Sequence, residues 1–138
     1  MRVTTNLLLH PFKYPEWGEM LLAFLGLGQF IFALWNMDDL YSRPAFELTI
    51  LLSIWAWVAG GLLLFGMHIG SLRFGGTQWG YQARLIAVGS SLAFWSHFIL
   101  SIVANSVFFN GPFPGTLIPS LGTPLLAGAV LYRLWRRY

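Results

Sequence analysis

Few side chains in this sequence can do acid–base or ligand chemistry, and several of them lie inside apolar runs. The histidines are His10, His68 and His97, the acids are Glu16, Glu19, Asp38, Asp39 and Glu47, and there is no cysteine. Without cysteine the chain has no disulfide, thiol nucleophile, Cys–zinc site or iron–sulfur ligand. No HExxH, no GxSxG with triad partners and no P-loop is present, so no motif assigns a catalytic step. The chain reads as a non-enzyme, with lipid contacts but no cofactor or metal. Bis-histidine haem is the one ligand set worth testing. His68 and His97 fall on neighbouring apolar segments, but their depths differ by on the order of 15–20 Å at the rise of a helix. Axial ligands of one haem need nearly equal depth, so the pair fails within a single chain; a haem shared between chains is a separate geometry.

The segments that carry these groups are set by composition. The chain has 138 residues, of which 57% are hydrophobic and 9% charged. A soluble domain carries roughly 25% charged residues, so this chain cannot wet a globular surface. Disorder needs the opposite composition. Four stretches approach the roughly 20 apolar residues that cross a bilayer. They run about 17–35, 45–69, 81–109 and 113–132. Short polar or Gly/Pro-rich connections (NMDDLYSRP, GSLRFGGTQWG, NGPFPG) force neighbours to be antiparallel. The expected fold is an all-α integral membrane protein, a single domain of four transmembrane helices. The third span is long enough to tilt or project, and the fourth is interrupted by Pro119 and Pro124.

Basic residues set direction in membranes. Arg2 and Lys13 precede the first span, Arg73 and Arg84 flank the second connection, and Arg133, Arg136 and Arg137 follow the fourth; Arg43 alone lies on the other side. Both termini are therefore expected in the cytoplasm, in a bacterial or phage-infected-cell inner membrane. The stretch 1–15, broken by Pro11, reads as an interfacial segment rather than a cleavable signal peptide. The net charge of +3 follows from this asymmetry and fits anionic lipid better than nucleic acid, for which no basic surface exists.

Polar groups at membrane depth carry a functional hypothesis by default. Gln29, Ser53, His97 and Thr123 fall near one level, a candidate midplane layer facing the interior. The more economical reading is a neutral His97 acting as interhelical glue. Ser90, Phe94, His97, Ser101 and Asn105 recur at three- and four-residue spacing, a polar stripe that should avoid lipid. Glu19 has two possible charge partners at its own level, Arg84 and Arg133. Small residues mark candidate packing seams: Ala56 and Gly60 on the second span, Ser120, Pro124 and Gly128 on the fourth.

Three functions fit these features. One is a homo-oligomeric pore or permeability protein of the holin-like kind. Another is a non-catalytic accessory or assembly subunit bound to unlike membrane subunits. A third, a small dimeric transporter, wants an acid deep in a helix, and Glu19 and Glu47 both lie near span ends. The topology yields the first prediction. A reporter fused after Tyr138 should read cytoplasmic, and one in the Asn36–Pro44 connection should read external; an external C-terminus would overturn the basic-residue count.

Overall fold

The computed structural model describes residues 15–35, 54–74, 77–108 and 117–138. Ser53, Asp38, Asp39, Glu47 and nearly all of the expected interfacial segment lie outside them. The described chain is all-helical: α1 is Pro15–Trp35, α2 Ile54–Arg73, α3 Gln78–Phe108 and α4 Leu117–Arg137.

Local chemistry sets the helix ends. Pro15 opens α1, where a missing N–H costs nothing. Glu16 stands in the same first turn, against the positive end of the helix. Arg73 sits in the last turn of α2, where a cation is favoured. Thr77 caps α3. Its Oγ1 accepts from the Gly80 N–H at 2.9 Å and donates to the Phe74 carbonyl at 3.0 Å, so one side chain satisfies an orphan donor of α3 and closes the turn from α2.

Three helices are long and apolar enough to cross a membrane: Glu16–Trp35, Trp55–Arg73 and Gln78–Phe108. With 31 residues, α3 is about 46 Å long, well beyond a hydrocarbon core of about 30 Å. The fourth helix differs from the expected span. Its described part runs from Leu117 through Arg133 and Arg136 to Arg137, and the expected start near 113 lies outside the described residues. Its last two turns are basic and aromatic, so it does not reach the apolar length of the other three. Pro124 lies inside α4, and the helix stays continuous across it.

The helices form a bundle in which each packs on its neighbour in sequence and α4 closes on α1. α1 and α3 meet only at a few positions, and α2 stands across from α4. Leu22, Val88, Ala127, Val130 and Leu134 form a core shared by α1, α3 and α4. Between α2 and α3 the filling is aromatic: the Trp57 ring meets Phe94 at 4.9 Å and Phe98 at 5.2 Å, both edge to face. The outside is no less apolar, with Phe24, Ile31, Leu63, Ile86, Leu100 and Leu125 all exposed.

α1 and α2 approach backbone to backbone at Gly26 and Gly61. A Cβ on Gly61 would stand 2.6 Å from the Gly26 carbonyl oxygen and 2.8 Å from the Phe30 nitrogen, while one on Gly26 would stand 2.9 Å from the Gly61 carbonyl oxygen. Backbone touches backbone there, the contact that drives helix association where no hydrophobic force acts between helices. Of the small residues picked out from spacing, Gly60 seats the Phe94 ring, Ala56 is exposed, and Gly128 has open space beside it. The side chain of Ser120 lies outside the described set.

These contacts predict unequal effects of one substitution. Gly61→Leu has to push α1 and α2 apart and should cost at least the 1–3 kcal/mol or so typical of overpacking. Gly128→Leu should leave the stability of a single chain near wild type. Thermal unfolding in mild detergent compares them; equal midpoints would show that the α1–α2 seam is not close-packed.

Candidate functional site

Polar chemistry inside the bundle is concentrated on α3 and begins with a charge. Arg84 lies on the second turn of α3 and is buried to within 5% of its surface, and Glu19 of α1 is fully buried. Arg84 Nε donates to both carboxylate oxygens of Glu19 at 2.9 Å, and Nη2 donates to Glu16 Oε1 at 3.1 Å. One guanidinium thus holds two carboxylates three residues apart on one face of α1, at one of the few places where α1 and α3 meet. Buried ions need this pairing, because desolvation costs several kcal/mol per ion. Arg133, the other arginine at the level of Glu19, is exposed and forms no ion pair with it.

Two turns along the same face of α3, Ser91 is fully buried against His68 of α2, which is also fully buried. His68 Nε2 lies 2.8 Å from Ser91 Oγ. Ser71 Oγ donates to the His68 carbonyl at 3.0 Å, and His68 Nδ1 has no hydrogen-bond partner. A serine beside an imidazole is the start of a nucleophile–base pair, but such a pair needs access for substrate and a group that orients the imidazole. Among the described residues no group bonds the second imidazole nitrogen and both side chains are fully buried; the contact ties α2 to α3. Farther along α3, Asn105 and Ser101 are buried, and Ser101 Oγ donates to the His97 carbonyl at 2.8 Å.

The inward line of α3 runs through Arg84, Val88, Ser91, Trp95, Ile102 and Asn105. It joins the stripe expected from spacing at Ser101 and Asn105, but at the other end it is turned by one residue. Ser91 and Trp95 are buried where Ser90 and Phe94 are only half-buried. One residue is about 100° of rotation, and serines at both 90 and 91 leave the phase open. The signal that fixes it is Arg84: a charge bound to Glu19 must point inward, and the residue seven positions on is Ser91.

The expected midplane layer is not one connected cluster. Thr123 is buried, Gln29 is half-buried, and His97 is exposed. Among the described residues no side-chain hydrogen bond joins them. The His97 ring lies flat on Trp57, with centroids 5.8 Å apart and planes at 12°. The tryptophan fills the position between α2 and α3 that the imidazole would need in order to turn inward. An ionisable ring therefore sits on the outer surface of a membrane-length helix, far from either end. Among the described residues no group of three or more His, Asp or Glu side chains comes together as a metal site.

No protein family matches the chain, and no curated protein or solved structure is similar to it.

The buried pair yields a prediction with a sign. Glu19→Leu or Arg84→Met breaks the buried pair by removing one partner and should cost about 3–5 kcal/mol. The double variant Glu19→Leu/Arg84→Met removes both charges and should recover much of that loss. Chemical or thermal unfolding of the four proteins in detergent closes the cycle; additive losses would mean that the two groups do not depend on one another.

Proposed function

We propose that this chain is a multi-pass membrane protein that works as the repeating subunit of a homo-oligomeric pore or permeability assembly, holin-like in kind and without catalysis, in a bacterial or phage-infected-cell inner membrane. The observation behind this reading is His97. It is exposed and far from either end of a helix of membrane length, and an ionisable ring at such a depth faces protein or water rather than lipid. The interior polar groups are committed to one another across the bundle, Glu19 and Glu16 to Arg84 and His68 to Ser91. A path for solutes is then better formed between copies than through one. The outer surface beside His97 suits a close neighbour: Gly89 has open space above it and Ala93 is exposed.

A second reading has its own observation. Along the outer face of α2, Ala56, Ala59, Gly60, Leu63, Gly66 and Met67 border an open apolar groove of about 740 Å³. Small residues there would admit a helix of an unlike subunit, which is the accessory or assembly role.

The two readings separate in one set of measurements. Purified protein in lipid nanodiscs should be a symmetric oligomer of this chain alone, and proteoliposomes should release a small entrapped dye. His97→Leu should still insert and assemble but release dye at least tenfold more slowly. A Cβ added at Gly128 meets nothing among the described residues, so loss of the oligomer in Gly128→Leu with the single chain still folded would place the α4 seam between copies. A wild-type chain that is monomeric in nanodiscs, or that purifies only with fixed unlike subunits, overturns the pore.

A further inference from the structure

We propose that the end of the bundle carrying Arg73, Arg133 and Arg136 is a binding surface for anionic phospholipid headgroups. The inference needs only that the helices lie in a membrane, so it is independent of whether the chain forms a pore or joins unlike subunits.

Charge gives the first argument. The acids placed at this end are Glu16 and Glu19, and both bind Arg84. Arg73, Arg133 and Arg136 are all exposed, and among the described residues none forms an ion pair. Asp38, Asp39 and Glu47, the remaining acids, belong to the stretch between α1 and α2 outside the described residues. Among the described residues, the C-terminal ends of α2 and α4 therefore present guanidinium groups with no Asp or Glu side chain paired to them. A guanidinium matches two phosphate oxygens at once.

The company these arginines keep gives the second. Trp79 is 81% exposed, Trp135 75% and Tyr132 60%. Arg136 lies over the Tyr132 ring at 5.4 Å, which holds its charged head beside the aromatic face. Exposed tryptophan and tyrosine flanking an apolar bundle belong at the headgroup level, where the ring body is apolar and its polar edge is wet. The opposite end repeats the pattern with Trp35 and Trp55, both exposed. From Trp55 to Arg73 is about 27 Å along α2, close to the thickness of a hydrocarbon core.

Placement selects lipid over a macromolecule. Arg73 is on α2, while Arg133 and Arg136 are on α4, and these two helices stand across the bundle from one another. A nucleic acid or an acidic protein would cover one face. A leaflet surrounds the bundle and meets both.

The test uses the full chain in mild detergent, with phosphatidylglycerol and phosphatidylcholine of identical acyl chains in equal amounts, and counts retained lipids by native mass spectrometry. Each guanidinium brought to an anionic headgroup region favours it by about fivefold, so the wild type should retain phosphatidylglycerol several-fold over phosphatidylcholine. Arg73→Gln/Arg133→Gln/Arg136→Gln should bring the ratio to about one, and the matching triple lysine variant should keep most of the preference. Raising salt to 1 M should shrink the wild-type ratio without any substitution. Equal retention of the two lipids by the wild type overturns the proposal, as does a glutamine variant or a high-salt sample that still prefers phosphatidylglycerol. Arginine-dependent binding of polyglutamate by the protein in neutral nanodiscs, with no lipid preference, would assign the surface to an acidic protein instead.

Discussion

Arg84 reaches from α3 to a carboxylate on α1 that has no contact with solvent, and much of the bundle is arranged around that reach. A guanidinium withdrawn from water has to find its partner within hydrogen-bond distance. Meeting Glu19 through Nε and Glu16 through Nη2 fixes the distance between two helices that otherwise scarcely touch. It also fixes the rotation of α3. Once Arg84 points inward, Ser91 points inward two turns later and comes within 2.8 Å of His68. Trp95 and Asn105 follow on the same side, and Ala93 and Leu100 are left outside.

The rest of the packing works by van der Waals approach. At Gly26 and Gly61 the backbones of α1 and α2 come together with no side chain between them. Across the bundle, Gly18 accepts the Val130 side chain of α4. On the α2–α3 side the space is instead filled by Trp57, Phe94 and Phe98 edge to face. The same residue, Trp57, carries the His97 ring on its face, so the aromatic filling that joins α2 to α3 also keeps the imidazole outside.

The outcome is a chain with paired polar groups within and an apolar coat without. Phe24, Leu63 and Leu100 are exposed, while Glu19, His68 and Ser91 are fully buried. Lipid tolerates that distribution and water does not. Two features break the coat. His97 interrupts it far from the helix ends, and the exposed arginines interrupt it at one end. The first calls for a neighbour or water, the second for a charged boundary.

Composition alone determined that the chain is helical and suited to a membrane, because 9% charged residues cannot cover a soluble fold and the long apolar runs have one stable backbone in lipid. The runs also located α1 and α3 to within about three residues at each end, while the run at 45–69 overlaps the described α2 only from Ile54 on and stops short of its end at Arg73. The run at 113–132 contains α4 from Leu117 on, but hydropathy does not register that the helix continues past it among arginines to Arg137. The sequence offered Glu19 two arginines at one level. Choosing Arg84 required knowing that α3, rather than α4, brings a guanidinium to that point. Spacing likewise showed a polar face on α3 but left two phases one residue apart. The glycine seam fell at Gly61 rather than Gly60 for the same reason. Depth along a helix is written in the count of residues, whereas rotation about its axis is decided by what packs against it, and a difference of one residue, about 100°, separates the fully buried Ser91 from the half-buried Ser90.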